Sequence, residues 1–342
     1  MHKSIGAHDR RFIGDTIYFL MRWKNLLDLV LRKESSWEER YAALPSLKNV
    51  PDSLPFWARC GASEWFFREL CTVLPEERAG EICRILNEQA PVTIRANLLK
   101  TTREELLERL PCPAEFCSLS KAGIQLLERI PLTSLPEFKE GLFEIQDEGS
   151  QLVAELVECS PGDQVLDYCS GSGGKSLAFA PSLQGRGQIY LHDIRPQILL
   201  EAKRRLRRAG VQNAQFLSPG HPRLQSLKNS LDWVLADVPC SGSGTYRRNP
   251  DMKWKIGEAQ IQELILKQSA IVEEALSYLR PGGRLVYATC SIFARENELQ
   301  VKNFSNPSNV ASCESLEVEK VLQLFPKSGG HDGFFGAVLR KK

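Results

Sequence analysis

Along the first stretch of the chain, apolar positions recur at helical spacing. Phe12, Ile13, Ile17, Phe19 and Leu20 form one such set, and Trp65, Phe66, Leu70 and Leu74 another. Residues three and four apart share one face of a helix, so residues 1–90 are expected to form a helical region. From Pro91 the pattern turns extended over Val92–Asn97. It then becomes helical over Thr101–Leu110, where Thr102 and Glu105 have the spacing of a capping box. A small α+β unit over residues 91–150 fits. After Pro161 and Gly162, short β-branched or apolar runs alternate with helical stretches: Val165–Tyr168, Gln188–His192, Ala214–Leu217, Trp233–Ala236 and Arg284–Ala288. Strand and helix in alternation predict an α/β fold, a largely parallel sheet flanked by helices, over residues 151–342.

Composition adds bounds rather than direction. The 342 residues, 42% of them hydrophobic and 25% charged, are enough for a sizeable core and two or three domains. Lys and Arg number 44 against 42 Asp and Glu, a formal charge of +2, so any nucleic-acid surface must be a local patch. Met1–Arg11 is polar and charged with no apolar signal core, and the run Leu26–Leu31 is broken by Asp28, so neither secretion nor a membrane span is expected. The ten cysteines form no Cys-x-x-Cys pair and no Cys and His set suited to zinc. Reduced thiols in the cytoplasm, and no metal, are the expectation.

Chemistry enters where the first parallel strand ends. Asp167 leads into Cys169-Ser170-Gly171-Ser172-Gly173-Gly174-Lys175-Ser176, and a helix begins at once. Glycines there let a ligand approach the backbone at the carboxyl edge of the sheet. A Walker A loop would end in Gly174-Lys175-Ser176, but it requires glycine where Cys169 stands. A dinucleotide loop requires glycine at Ser176. S-adenosylmethionine carries an amino acid instead of a pyrophosphate, so it is bound to neither spacing, and Asp193 after the second strand can hold its ribose hydroxyls.

The fourth strand delivers Asp237-Val238-Pro239-Cys240-Ser241-Gly242 to the same edge, and the fifth delivers Thr289-Cys290-Ser291. Taken singly, either cysteine reads as a small buried hydrophobe. Together they fit methylation of cytosine at carbon 5, a carbon too electron-poor to attack a sulfonium until a thiolate has added at carbon 6. Lys175 would favour the thiolate, Asp237 could carry a proton to nitrogen 3, and a second cysteine could assist release.

These segments, together with Arg247-Arg248-Asn249-Pro250-Asp251, Glu296-Asn297-Glu298, Arg95-Ala96-Asn97, Gln146-Asp147-Glu148-Gly149-Ser150 and His331-Asp332-Gly333-Phe334-Phe335, resemble the Sun/Fmu (RsmB/NOP) family of RNA 5-methylcytosine methyltransferases. Within it the likeness is greatest to the bacterial small-subunit ribosomal RNA methyltransferase B group, and it covers roughly residues 90–342. The resemblance implies a class I Rossmann-like methyltransferase with a seven-stranded sheet. Cys290 would be the nucleophile and Cys240 would assist release, with Asp237 and Lys175 at the base. The cofactor, S-adenosylmethionine, would lie on Cys169, Ser170, Gly171, Ser172, Gly173, Gly174, Lys175, Asp193 and Asp237. RNA, ribosomal RNA foremost, would be the partner, gripped by Arg95 and Asn97, with Arg247 and Arg248 after the Cys240 loop; a cytoplasmic monomer with no membrane partner is implied. The chain departs from the family at Ser170-Gly171-Ser172, where Ala-Ala-Pro is common, and at Ser218-Pro219, where an adenine-side aspartate is usual. The basic run Lys203, Arg204, Arg205, Arg207 and Arg208 reads as a solvated helix face or an RNA contact. The N-terminal helices, with Asp9-Arg10-Arg11-Phe12, resemble the end of an antiterminator-like RNA-binding domain, here shortened, or serve as a cap that buries Trp57, Trp65 and Phe66. A non-catalytic ribosome-assembly factor, a transfer-RNA substrate and a DNA methyltransferase that uses Cys240 are the competing readings.

Overall fold

Extended runs of three to eleven residues cannot stand alone and must pair. In the computed structural model, which describes residues 6–306 and 316–342, they pair into two sheets. The first five residues of the polar Met1–Arg11 stretch lie outside the described residues. The smaller sheet, ordered β2-β3-β1-β4 and wholly antiparallel, comprises β1 (Val92–Ala96), β2 (Ala114–Phe116), β3 (Gly123–Leu126) and β4 (Phe143–Ile145). A helix, Arg103–Arg109, packs Leu106 against Ile94 and Ile124, and its capping box is closed: Thr102 Oγ1 accepts from the Glu105 amide at 3.1 Å, and Glu105 accepts from the Thr102 amide at 3.0 Å.

The larger sheet is ordered β10-β11-β9-β8-β5-β6-β7, from β5 (Gln164–Asp167), β6 (Gln188–His192), β7 (Ala214–Leu217), β8 (Leu231–Asp237), β9 (Leu279–Thr289), β10 (Leu316–Leu324) and β11 (Phe334–Lys341). β5 to β9 are the five strands expected from the apolar runs and are mutually parallel. β11 runs antiparallel to β9, and β10 to β11. Neighbouring residues point to opposite faces of a strand. Thus Val165, Leu235 and Val286 enter one core, beneath the helices Gly174–Phe179 and Pro196–Ala209, while Leu166, Val234 and Leu285 enter the other, beneath Glu258–Leu276. Because the strands are parallel and adjacent, β9, β8, β5 and β6 all deliver their carboxyl ends to one edge. Cys290, Asp237, Asp167 and Asp193 stand in that order along it.

The N-terminal helices Ala7–Leu31, Glu64–Cys71 and Glu76–Ile85 do not form a core of their own. Phe66, Phe67, Leu70 and Ile82 share one with Tyr246, Ile261, Ile292 and Phe293 of the half that carries the large sheet. Phe66 is fully buried, Trp57 and Trp65 are half-buried, and the Phe66 and Phe293 rings meet at 5.4 Å. The first apolar set fares differently: Phe12, Ile13, Ile17 and Phe19 lie on the exposed side of their helix, Phe12 at 57%, while Leu20, Leu26 and Leu27 are buried. Among the described residues no helix is long and apolar enough to cross a membrane.

Lys253 joins the two halves. It is buried, and its ammonium donates to the Asn87 side chain at 2.6 Å and the Gly61 carbonyl at 2.8 Å. Burial without an acidic partner pushes its pKa down to about 7. A base whose folded pKa lies below its unfolded value binds fewer protons folded than unfolded between the two, so its contribution to stability grows as pH rises from about 7. Relative to Lys253→Met, the protein should gain up to about 1 kcal/mol between pH 7 and 8, measured by urea denaturation. An unchanged difference across that interval would refute a depressed Lys253.

Candidate active site

The loop between β5 and the next helix is shaped by two glycines in the left-handed region, Gly171 at φ 50° and Gly173 at φ 77°. Gly173 is doubly constrained, since a Cβ there would stand 2.8 Å from Leu206 Cδ1. The loop walls a cavity of about 660 Å³ whose lining includes Asp167, Cys169 to Ser172, Lys175, Asp193, Asp237 and Lys267. That volume suits a nucleoside-sized ligand.

Three carboxylates face this cavity in different states. Asp167 is buried; its Oδ2 accepts from Ser176 Oγ at 2.7 Å, but its Oδ1 has no partner. Burial, opposed by the Ser176 bond and reinforced by the charge of Asp237, pushes its pKa up to about 7. For Asp193, burial works against ionisation but is outweighed by hydrogen bonds, and its pKa lies below the usual carboxylate range. The Arg195 guanidinium donates to both of its oxygens, at 2.9 and 3.0 Å, and the Gly171 amide donates at 2.9 Å. Asp237 forms an ion pair with Lys175. Burial would depress the Lys175 ammonium, yet the Asp237 charge, their hydrogen bond and the nearby Cys290 together hold its pKa above the ordinary value.

The two cysteines meet with their Sγ atoms 3.4 Å apart. The bond to Cys290, and burial after it, hold the Cys240 thiol well above its usual pKa, so Cys240 keeps its proton. What brings them together is a buried carboxylate. Glu296 accepts from the Ser241 amide at 2.9 Å, Ser241 Oγ at 2.5 Å, Ser291 Oγ at 2.6 Å and Gln268 Nε2 at 2.9 Å. Ser241 and Ser291 each follow a cysteine directly. Thr289 Oγ1 donates to Asn297 at 2.6 Å, which in turn donates to the Ser291 carbonyl at 3.0 Å. The segment before β11 closes over the same loop: Gly333 donates to the Gly244 carbonyl at 2.9 Å, and a Cβ on Gly244 would lie 2.2 Å from Gly333 O.

The structure thus brings Cys240, Cys290, Asp237, Lys175, Asp193 and the loop Cys169–Gly174 to one edge. It gives the four residues expected to grip RNA other tasks. Arg95 is buried on β1 against Gln146 Oε1 at 2.7 Å, and burial lowers its pKa to about 10. Asn97 donates to the carbonyls of Gly141 and Ala209 at 2.7 and 2.8 Å, joining the small unit to the helix Pro196–Ala209. Arg247, at 1% exposure, spends its guanidinium on Asp332 and two carbonyls. Arg248 is held between Asp332 and Asp147. Of the basic run, Arg205 and Arg208 turn inward onto Glu144 of β4. Ser218 and Pro219 contribute nothing to the cavity lining, whereas His192 does, stacked on Tyr168 at 4.7 Å. Sequence reasoning passed over Glu296, Ser241, Ser291 and the unpaired Asp167. The first three sit inside the quoted motifs, so the signal was the polar residue beside each cysteine; Asp167 was visible as the one charge closing an apolar strand.

A family model described as 16S rRNA methyltransferase RsmB/F matches residues 154–340. A second, an RsmF/B-like ferredoxin-like domain, matches residues 62–133. The ribosomal RNA small subunit methyltransferase B of Photorhabdus laumondii is 32% identical over 82% of this chain and 66% of its own length. That of Pseudomonas syringae pv. tomato is 31% identical over 93% of this chain and 72% of its own. The chain thus spans about two thirds of the length of the first of these relatives. Among solved structures, a methyltransferase homologue from Pyrococcus horikoshii is 28% identical with a TM-score of 0.73, covering 85% of this chain and 99% of its own.

Replacing Glu296 by Gln would turn an amide donor toward groups that already donate. We expect a loss of about 2–4 kcal/mol of stability by denaturant titration, and a loss of the paired cysteine geometry, read as faster alkylation of Cys240. Unchanged stability and thiol reactivity would show that the carboxylate does not organise the loops.

Proposed function

The chain belongs to the 16S rRNA methyltransferase RsmB/F family, and from that premise we propose that it transfers a methyl group from S-adenosylmethionine to carbon 5 of a cytosine in RNA, ribosomal RNA foremost. The observation that carries the reading is the pair of thiols 3.4 Å apart beside a cavity whose buried Asp167 Oδ1 lacks a partner. That orphaned oxygen suits the ammonium of an amino-acid ligand. The glycine loop offers backbone at close range, and Asp193 can take ribose hydroxyls once Arg195, whose side chain is 63% exposed, swings away. When bound, the cofactor supplies a methyl group on a cationic sulfur.

The protein's own groups do the rest. Cys290, next to the Lys175 ammonium, adds as thiolate to carbon 6; a carbon–sulfur bond forms, the double bond between carbons 5 and 6 opens, and Lys175 with Asp237 supplies the proton that nitrogen 3 takes up. Carbon 5 then carries the electron pair that accepts the methyl group. A water molecule removes the carbon-5 proton, the double bond re-forms, and the bond to Cys290 breaks with its electron pair returning to sulfur, the protonated Cys240 thiol hydrogen-bonding to the departing thiolate, while nitrogen 3 returns its proton to the Lys175 and Asp237 pair. The Lys175 ammonium beside Cys290 supports this division of labour, because a neighbouring cation favours the thiolate there. A paired cytosine hides carbon 6, so the target is unpaired or extruded.

Transfer of tritium from labelled cofactor to ribosomal RNA tests the reaction. Cys290→Ala should abolish it, whereas Cys240→Ala should accumulate a protein–RNA adduct that survives denaturing gels; normal turnover by Cys290→Ala would rule out the assignment. Cofactor binding should also depend on pH. In the free protein Asp167 keeps a proton up to about pH 7, and a ligand ammonium binds the ionised form. Affinity should therefore rise severalfold between about pH 6 and 8, with proton release seen by calorimetry in buffers of different ionisation enthalpy. Asp167→Asn should bind weakly and without that slope.

A further inference from the structure

On the far side of the Arg247–Arg248 loop lies a cleft that the reaction does not use. The N-terminal helix Ala7–Leu31 forms one wall, and the small sheet with the segment leading into it forms the other. A cavity of about 370 Å³ there is lined by Arg11, Arg22, Arg129, Arg248, Tyr18 and Asp15, among others. A second of about 500 Å³ shares Arg11, Gln89, Ala90 and Arg129 with it, so the two form one continuous trough.

The charges in this trough are not balanced from within. Arg247 and Arg248 are neutralised by Asp332 and Asp147. Arg22 and Arg129 make no ion pair among the described residues. Each gives one donor to a carbonyl, Arg22 to Arg247 O at 3.0 Å and Arg129 to Ala90 O at 2.7 Å. Arg22 is 9% exposed, its Nε has no partner, and its guanidinium sits over the Tyr18 ring at 5.6 Å. Burial chiefly, and the like charge of Arg129 as well, work against the charged form of Arg22. Two acids line the trough: Asp15 on the helix, exposed and 3.9 Å from Arg11, and the exposed Glu128 beside Arg129; neither forms an ion pair with Arg22 or Arg129 among the described residues. Two guanidiniums that repel each other, one of them buried with an idle donor, are matched by an anion that enters the trough and bonds to both.

We propose that this trough is a subsite for the phosphate backbone of RNA, with Arg22 and Arg129 as its donors and Arg11 at its rim. The inference rests on the reading that the chain acts on RNA and adds where the strand is held: outside the four residues the sequence pointed to, at a seam closed by the N-terminal helix. A trough with Arg22 buried at its floor and Arg129 exposed at its mouth accepts a backbone phosphate without reading a base.

The test is RNA binding by fluorescence anisotropy as a function of salt, with methyl transfer measured alongside. Arg129 is exposed, so Arg129→Gln should fold normally. We expect it to weaken RNA binding about fivefold to tenfold and to reduce the slope of log affinity against log salt by about 1. Arg22→Gln should add to this effect, and unfolding curves identify any loss due to instability. Cofactor affinity by calorimetry should stay as in the unaltered protein. If Arg129→Gln binds RNA with unchanged affinity and slope while the unaltered protein binds and methylates RNA, the subsite is refuted and the proposed function stands. If Arg129→Gln weakens binding but the unaltered protein transfers no methyl group to any RNA, the subsite stands and the proposed function falls. An unaltered protein that binds no RNA overturns both.

Discussion

One buried carboxylate organises the reactive edge. Glu296 collects four hydrogen bonds from Ser241, Ser291 and Gln268, and so ties the loops after β8 and β9 to each other and to the helix Glu258–Leu276. A buried acid surrounded only by donors has a single satisfactory arrangement, and that arrangement sets two thiols side by side. The placement of the two thiols therefore follows from satisfying one acid.

A similar logic joins the three parts of the chain. Glu144 of the small sheet receives Arg205 and Arg208 from the catalytic helix, and Arg205 also donates to the Ser172 carbonyl at 3.1 Å. Asn97 and Lys253 bridge other seams with neutral partners. The glycine loop is thus fixed partly from outside its own domain. Polar residues that look like a surface for RNA serve as mortar between units, whereas Arg22 and Arg129 hold only backbone carbonyls and make no ion pair among the described residues.

How much of this was legible depended on the range of the interactions. The strands β6 and β7 stand at the residues read from their apolar runs, β8 and β9 extend theirs, and β5 lies one residue earlier than its run, because local patterning dictates a buried parallel strand. β10 was missed: Glu317, Glu319 and Lys320 place charge on an edge strand, where it protects against further pairing but hides the alternation. β11 is hidden for the opposite reason: its unbroken apolar run Phe334–Leu339 shows no alternation and follows directly on the His331-Asp332-Gly333 segment, with no break to mark a strand. The cysteines, the glycine loop and Asp237 were readable because function sits at strand ends. Arg247 was misread because its partner, Asp332, lies 85 residues away, and no spacing rule reveals an ion pair that only the folded sheet creates.

The core shared by Phe66, Tyr246, Ile292 and Phe293 sets a limit on modularity. Phe293 follows Cys290 by three positions and Tyr246 follows Cys240 by six, so the aromatic floor under both reactive loops is supplied in part by the amino-terminal helices. A catalytic domain cut free at the start of the large sheet would keep every reactive atom and lose the ground beneath them. The helices are best regarded as an abutment of the two cysteine loops.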